Sequence, residues 1–392
     1  MIFFVQKHIT DKLHHCIWYY KTLSPIRWNL LYKKYSKQKV QSKKVVLYSP
    51  NYDFMDTSFN CLLKELKERD YDIQIINTHK NNAKNIENFI KQAATASYIF
   101  TTDDSRLIDF IKFRKETKIV CLWHACGALK KFGNSKVKYW KRDFFLRRMF
   151  FFYKNLNLFT VSSPACLPFY SEATGISLKK KIIQPLGISR TDIFFDENFI
   201  ANCKEKKSSL TDKKIILYAP TFRGGTFSKA YTPNFIDFLK MKESLKHDYV
   251  ILINRHPGSF KSPYTIPESC SDFAIDVSGK YDISELITIS DILIGDYSSL
   301  IFEWSLFRKP FLPLVPDMDI YGKGFYIDFE SIIAPYRCNN TNDLIRAIKN
   351  ISHYDYSFLM QLKENFMSAC DGKATKRILD MIEAMPNKTK RS

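Results

Sequence analysis

Glycine is scarce in this chain, with twelve among 392 residues. The GxxxxGK[ST] spacing is absent, which excludes a Walker-type phosphate loop. The nine cysteines at 16, 61, 121, 126, 166, 203, 270, 338 and 370 form no CxxC. Their odd number fits no closed disulfide set, so reduced thiols and no structural zinc are expected. Apolar runs are short. None approaches the roughly 20 residues that span a bilayer, and the phenylalanines of 144–152 are broken by Arg147 and Arg148. The N-terminus has neither the apolar core nor the small-residue cleavage site of a secretory leader, so a cytoplasmic location is expected. Internal repeats and low-complexity segments are also lacking.

What is abundant is positive charge, unevenly placed. The formal charge is +20 and 45% of residues are hydrophobic. Residues 1–45 hold ten Lys/Arg against Asp11, and residues 130–157 hold nine against Asp143. The remainder is nearly neutral. Both basic segments interleave cations with rings, as in "IWYYKTLSPIRWNLLYKKYSKQK" and "YWKRDFFLRRMFFFYKN". Such segments suit an anionic membrane surface, with rings at headgroup depth and cations on phosphates. Nucleic-acid binding and a solvated basic helix with packed aromatics are the competing readings. The expectation is a peripheral protein of the cytoplasmic membrane face, with no nucleic-acid partner.

Short apolar runs alternate with helix-length segments. Strands are expected at 44–49, 71–77, 97–102, 118–123, 158–163 and 181–186. After the polar, lysine-rich break at 203–214 the rhythm restarts at 214–220, 249–257, 273–278, 291–296 and 310–316. Continuous apolar strands separated by helices imply parallel sheets covered on both faces. The expected fold is α/β, with two Rossmann-like domains whose parallel sheets face a central cleft. Residues 1–43 form a basic aromatic membrane-associating segment, 44–203 the first Rossmann-like domain, and 204–392 the second, with closing C-terminal helices. Ligands of such folds bind beyond the carboxyl ends of strands.

Nine of the twelve glycines (127, 133, 224, 225, 258, 279, 295, 322 and 324) follow these strands or lie in adjacent loops. So do the unusual polar residues. "LWHACGALKKFG" places His124, Gly127, Lys130 and Lys131 after the fourth strand. An imidazole there accepts a proton at neutral pH, and the lysines attract a polyanion. "YAPTFRGG" brings Thr221 and Arg223 to a glycine bend, and "NRHPG" sets Arg255 and His256 before a proline. In "DILIGDYSSLIFEWSLFRKP", Asp296 ends a strand, Ser298–Ser299 open a helix, and Glu303 follows one turn on. Helix-start amides and hydroxyls suit phosphates, and a carboxylate suits polyol or ribose hydroxyls. Together these residues match transfer from a nucleoside-diphosphate donor, where the leaving pyrophosphate needs neutralising and the acceptor hydroxyl must lose a proton. The acidic triplets at 70–72 and 317–319 imitate a DxD metal motif, but no metal site is expected.

The segments "WHACGALKKFG", "ILYAPTFRGG", "NRHP" and the block at 282–330 together resemble the CDP-glycerol:poly(glycerophosphate) glycerophosphotransferases, from about residue 44 to 350. That resemblance implies a GT-B-like fold with 44–203 as acceptor domain and 204–392 as CDP-donor domain. It implies CDP-glycerol as donor with no cofactor, and metal-independent, inverting-type chemistry. It also implies a lipid-linked or growing surface-polymer acceptor. By the same resemblance His124 is the base. His256, Ser298 and Ser299 contact donor phosphates, and Glu303 contacts donor hydroxyls. The loop departs from the family's "WHGTPLKKLG" by one extra residue, which leaves glycerol against ribitol open. A nucleotide-sugar glycosyltransferase and a non-enzymatic binding module are the alternative readings.

Overall fold

The computed structural model describes residues 24–50, 57–78, 83–136, 153–224, 229–321 and 324–386. All eleven expected strands form. The first sheet contains β1 (Gln41–Ser49), β2 (Asp72–Asn77), β3 (Ala96–Thr101), β4 (Lys118–Cys121), β5 (Leu158–Thr160) and β6 (Ile183–Gln184). Its order is β2-β1-β3-β4-β5-β6, and every pairing is parallel. The second sheet contains β7 (Lys214–Ala219), β8 (Tyr249–Ile253), β9 (Ala274–Asp276), β10 (Ile292–Gly295) and β11 (Phe311–Pro313). Its order is β11-β10-β7-β8-β9, again parallel throughout.

The strand composition explains the layering. Val45 to Tyr48 in β1, all of β4 and all of β8 are buried. A strand buried on both faces needs helices above and below it, which parallel crossovers supply. Several helices open with a side-chain cap. Asp237 accepts from Lys240 N–H, Asn340 accepts from Asp343 N–H, and Asp282 forms a capping box with Glu285. Two lysines, Lys118 buried and Lys309 half-buried, close helix ends. Lys309 Nζ donates to the carbonyls of Ile287 and Thr288 (3.1 and 2.8 Å), and Lys118 Nζ donates to those of Ile382 (3.2 Å) and Met385. Terminal carbonyls carry the negative end of the helix dipole, so an ammonium is favoured there.

The chain does not divide cleanly at 203/204. That position falls inside the helix Glu197–Leu210, whose Cys203 packs in the core of the second sheet. The last helix, Ala374–Ala384, returns to the first sheet, where Ile378, Leu379 and Ile382 are fully buried against Val45, Leu47 and Phe59. Burying three aliphatic side chains contributes at most about 6 kcal/mol, enough to anchor the crossover.

The described part of the N-terminal segment is also integrated. In the helix Ser24–Tyr35, Tyr32 is buried and Trp28 and Leu31 pack beside it in the first core. Ile26 and Leu30 face outward at 51% and 64% exposure, next to the exposed Arg27, Lys33 and Lys34. Residues 1–23 and 137–152 of the two basic segments lie outside the described residues. Among those described, no helix is long and apolar enough to cross a membrane.

Candidate functional site

In the second sheet, β7 lies between β8 and β10, so successive crossovers leave β7 in opposite directions. A crevice opens outside the strand ends at such a switch point. The segments following β7 and β10 are those holding Thr221–Arg223 and Asp296–Ser299.

Asp296 is buried and well supplied with donors. Its Oδ1 accepts from the amide and hydroxyl of Thr221 (2.9 and 2.6 Å), and its Oδ2 accepts from Arg223 Nη1 (3.0 Å). Arg223 donates through Nε and Nη2 to both oxygens of Asp317 (2.7 and 3.1 Å) and through Nη1 to the Thr221 carbonyl (2.6 Å). Its guanidinium lies over the rings of Tyr297 and Tyr321, 5.1 Å from each centroid. The Tyr297 hydroxyl donates to Asp317 Oδ1 (3.0 Å). Carboxylates therefore pair with Arg223 on two sides. A buried guanidinium needs paired carboxylates, and Asp317 of the "DMD" triplet supplies one. Asp296 and Thr221 brace the same network. Burial lowers the Arg223 pKa, but the hydrogen bonds and charges of Asp317 and Asp296 outweigh it and hold the value above its ordinary level.

Arg255 behaves similarly. Its Nε donates to Asp276 Oδ2 (2.9 Å), and its plane lies near Phe260 and Tyr264. It fastens the segment after β8 to Asp276 at the end of β9. The neighbouring His256 is arranged differently. Its Nδ1 accepts from the amide of Gly258 (3.0 Å), and its ring packs on Phe222 at 4.8 Å. An accepting Nδ1 puts the proton of the neutral ring on Nε2, which makes Nε2 a hydrogen-bond donor. The extended backbone before Pro257 (φ −63°, ψ 135°) holds this geometry.

Ser298 and Ser299 are half-buried and precede the short helix Leu300–Trp304. Ser298 Oγ accepts from the amide of Leu300 (3.2 Å), so the hydroxyl organises the turn. Glu303 is 2% exposed and pairs with Arg190, a residue that no sequence motif marked. A carboxylate that deeply buried needs a counter-charge. This ion pair reaches across the two halves.

The remaining residues sit on the first sheet. After β4, Trp123 takes a left-handed backbone (φ +56°), a strained choice for a bulky side chain. Its indole packs among Phe132, Tyr153, Phe159 and Tyr170, and stacks on the His124 ring at 4.4 Å. His124 Nδ1 lies 3.2 Å from the Thr102 carbonyl and 3.9 Å from Asp103 Oδ2. Asp103 and Asp104, at the end of β3, were not among the expected site residues. The signal was available: two adjacent acids end the strand that neighbours β4. Burial and the neighbouring Asp103 push the Asp104 carboxyl up to about 7.

The two halves meet at Gly127. Its φ is +61°, and a Cβ built there would lie 2.3 Å from the Phe302 ring. Its amide donates to Ser162 Oγ (2.9 Å) and its carbonyl accepts from the Tyr170 hydroxyl (3.0 Å). Beside it the Lys131 amide donates to the Gly324 carbonyl (3.0 Å) and the Tyr326 amide to that of Leu129 (2.9 Å). Lys130 in this pairing places Nζ 5.6 Å from the centroid of Tyr321. A continuous path of contacts thus runs from the His124 loop to Phe302. It continues through the Ser298–Ser299 turn to Asp296 and Thr221, and through Phe222 to His256.

The family model described as CDP-Glycerol:Poly(glycerophosphate) glycerophosphotransferase matches residues 30–384. The chain belongs to this family. It is 32% identical over 366 residues to the teichoic acid ribitol-phosphate primase of Bacillus spizizenii, covering 88% of this chain and 92% of that protein. It is 31% identical over 294 residues to the teichoic acid glycerol-phosphate primase of Bacillus subtilis, with 73% and 74% covered. Against the ribitol-phosphate polymerase TarL of Staphylococcus aureus the identity is 30%, with 84% of this chain and 59% of that protein covered. A solved structure of a variant of the wall teichoic acid polymerase TagF matches this family member with a TM-score of 0.75 at 21% identity, covering 93% and 96%. That likeness is one of fold.

Proposed function

We propose that the protein transfers a polyol phosphate from a CDP-activated polyol to a hydroxyl of a teichoic-acid-type or capsule-type acceptor, lipid-linked or growing, and releases CMP. His124 takes the acceptor proton, since an Nδ1 donating to the Thr102 carbonyl leaves Nε2 with the lone pair. His256 donates from Nε2 to the donor diphosphate, and Ser298 and Ser299 offer hydroxyls and amides to it. Lys130 adds positive charge nearby. Arg223, Asp296, Thr221 and Arg255 are positioning residues, and Glu303 with Arg190 joins the halves. No metal or cofactor has a part in this scheme.

The observation that carries the reading is the Gly127–Phe302 contact, which joins the base-bearing loop to the serine turn of a chain matched by the family model over 30–384. In this reading the two sheets are GT-B-like Rossmann domains around a cleft. The first accepts and the second holds the donor. The break lies before the helix Glu197–Leu210, and the last helix belongs to the first domain. The outward Ile26 and Leu30, flanked by cations, hold the enzyme against the anionic cytoplasmic membrane surface.

CDP-glycerol is the donor that the family description supports. A second reading, CDP-ribitol, is favoured by the ribitol-phosphate primase similarity, which extends over 88% of the chain. CMP release measured with CDP-glycerol, CDP-ribitol and UDP-sugars separates them. Turnover with UDP-sugars alone overturns both.

A further inference from the structure

Among the described residues, the groups around His124 that titrate or carry charge are few. Asp103 and Asp104 follow β3, Asp109 and Tyr153 lie near this acidic pair, and Lys130 and Lys131 belong to its own loop. Asp103 turns its carboxylate toward Nδ1 of the His124 ring. Its Oδ1 accepts the amide of Asp104 (2.9 Å), which holds the carboxylate with Oδ2 3.9 Å from His124 Nδ1. Its own backbone is tied to Thr101, whose hydroxyl donates to the Asp103 carbonyl (3.0 Å). The Thr102 carbonyl, 3.2 Å from Nδ1, can only accept, so Nδ1 must carry hydrogen in that bond. Strained Trp123 packs on the ring, its plane tilted by 35° with the centroids 4.4 Å apart.

We propose that Asp103 is a positioning residue for His124: with the Thr102 carbonyl it holds the Nδ1–H tautomer, and it stabilises the imidazolium formed during transfer. The acceptor O–H bond breaks and its proton bonds to His124 Nε2. The freed oxygen bonds to phosphorus as the bond from phosphorus to the CMP oxygen breaks, and CMP departs with that electron pair. The imidazolium then faces the Asp103 carboxylate instead of water alone. An ion pair formed only as the proton moves stabilises the transition state more than the ground state.

The chemistry rests on the transferase reading, but the positioning does not. Nitrogen–proton NMR of the histidine rings in the full chain, assigned with His124→Gln, reports the tautomer across the neutral pH range. It is paired with CMP release by wild type, Asp103→Asn and Asp103→Glu. Wild type should show hydrogen on Nδ1. Asp103→Asn should raise the Nε2–H population, move His124 titration to lower pH, and cut kcat roughly 10–100-fold with donor KM unchanged. Asp103→Glu should recover part of the loss. An Nε2–H tautomer in wild type overturns the proposal, as does an Asp103→Asn variant whose His124 signals and titration match wild type. If His124→Gln retains turnover while the Asp103→Asn signals still shift, the base assignment falls and the Asp103–His124 coupling stands.

Discussion

Gly127 and Phe302 touch where no side chain fits between them. The left-handed backbone of Gly127 lies under the Phe302 ring, 2.3 Å from where a Cβ would be. Gly127→Ala therefore combines backbone strain with a steric clash at the junction of the two halves. A loss of about 2–4 kcal/mol is expected in urea unfolding, with CMP release falling in parallel. Unchanged stability would show that the junction is looser than described.

Asp317 is the bidentate partner of Arg223, whose side chain is 9% exposed. Removing it leaves a buried guanidinium with only Asp296 as counter-charge. Asp317→Ala should cost about 3 kcal/mol and disturb the segments after β7 and β10 together. A thermal melt read beside donor KM tests this, and both should worsen.

His256 has its Nδ1 occupied by the Gly258 amide. Its contribution in our reading is one Nε2 hydrogen bond to charge that grows in the transition state. His256→Ala should lower kcat by roughly 10²–10³-fold while leaving the unfolding midpoint near wild type. A variant with full kcat would remove His256 from the chemistry.

Burial raises the Asp109 carboxyl to about 7. The unfolded chain releases that proton near pH 4, so between these limits the native state binds more protons. The stability contribution is complete below about pH 4 and disappears as pH rises through about 7. Asp109→Asn should flatten this slope and be the more stable form at about pH 8, by roughly 1–2 kcal/mol. Denaturant midpoints of both proteins on the two sides of neutrality decide it.

The exposed Ile26 and Leu30 lie on one face of the helix Ser24–Tyr35 with Arg27, Lys33 and Lys34 nearby. Substituting Ile26→Glu with Leu30→Glu should weaken sedimentation with anionic phosphatidylglycerol vesicles by roughly tenfold or more. Turnover on a soluble acceptor should persist. Equal vesicle binding would assign membrane contact elsewhere in the chain.

The positions and parallel direction of the eleven strands were legible in the chain, because a strand buried on both faces must be apolar along its length; their order in each sheet was not. The strand-end motifs were legible for a related reason. Histidine, serine pairs and clustered glycine are costly inside apolar strands and collect where the backbone turns toward a ligand. Which of those polar residues would face a ligand could not be read in this way. Arg223 and Glu303 bear the right chemistry for a diphosphate and a polyol, yet each lies beside a buried opposite charge, Asp317 and Arg190, far away in sequence. Asp103 gained its place next to His124 only through the parallel pairing of β3 with β4. Charge pairing depends on distance in space, and the fold alone sets that distance.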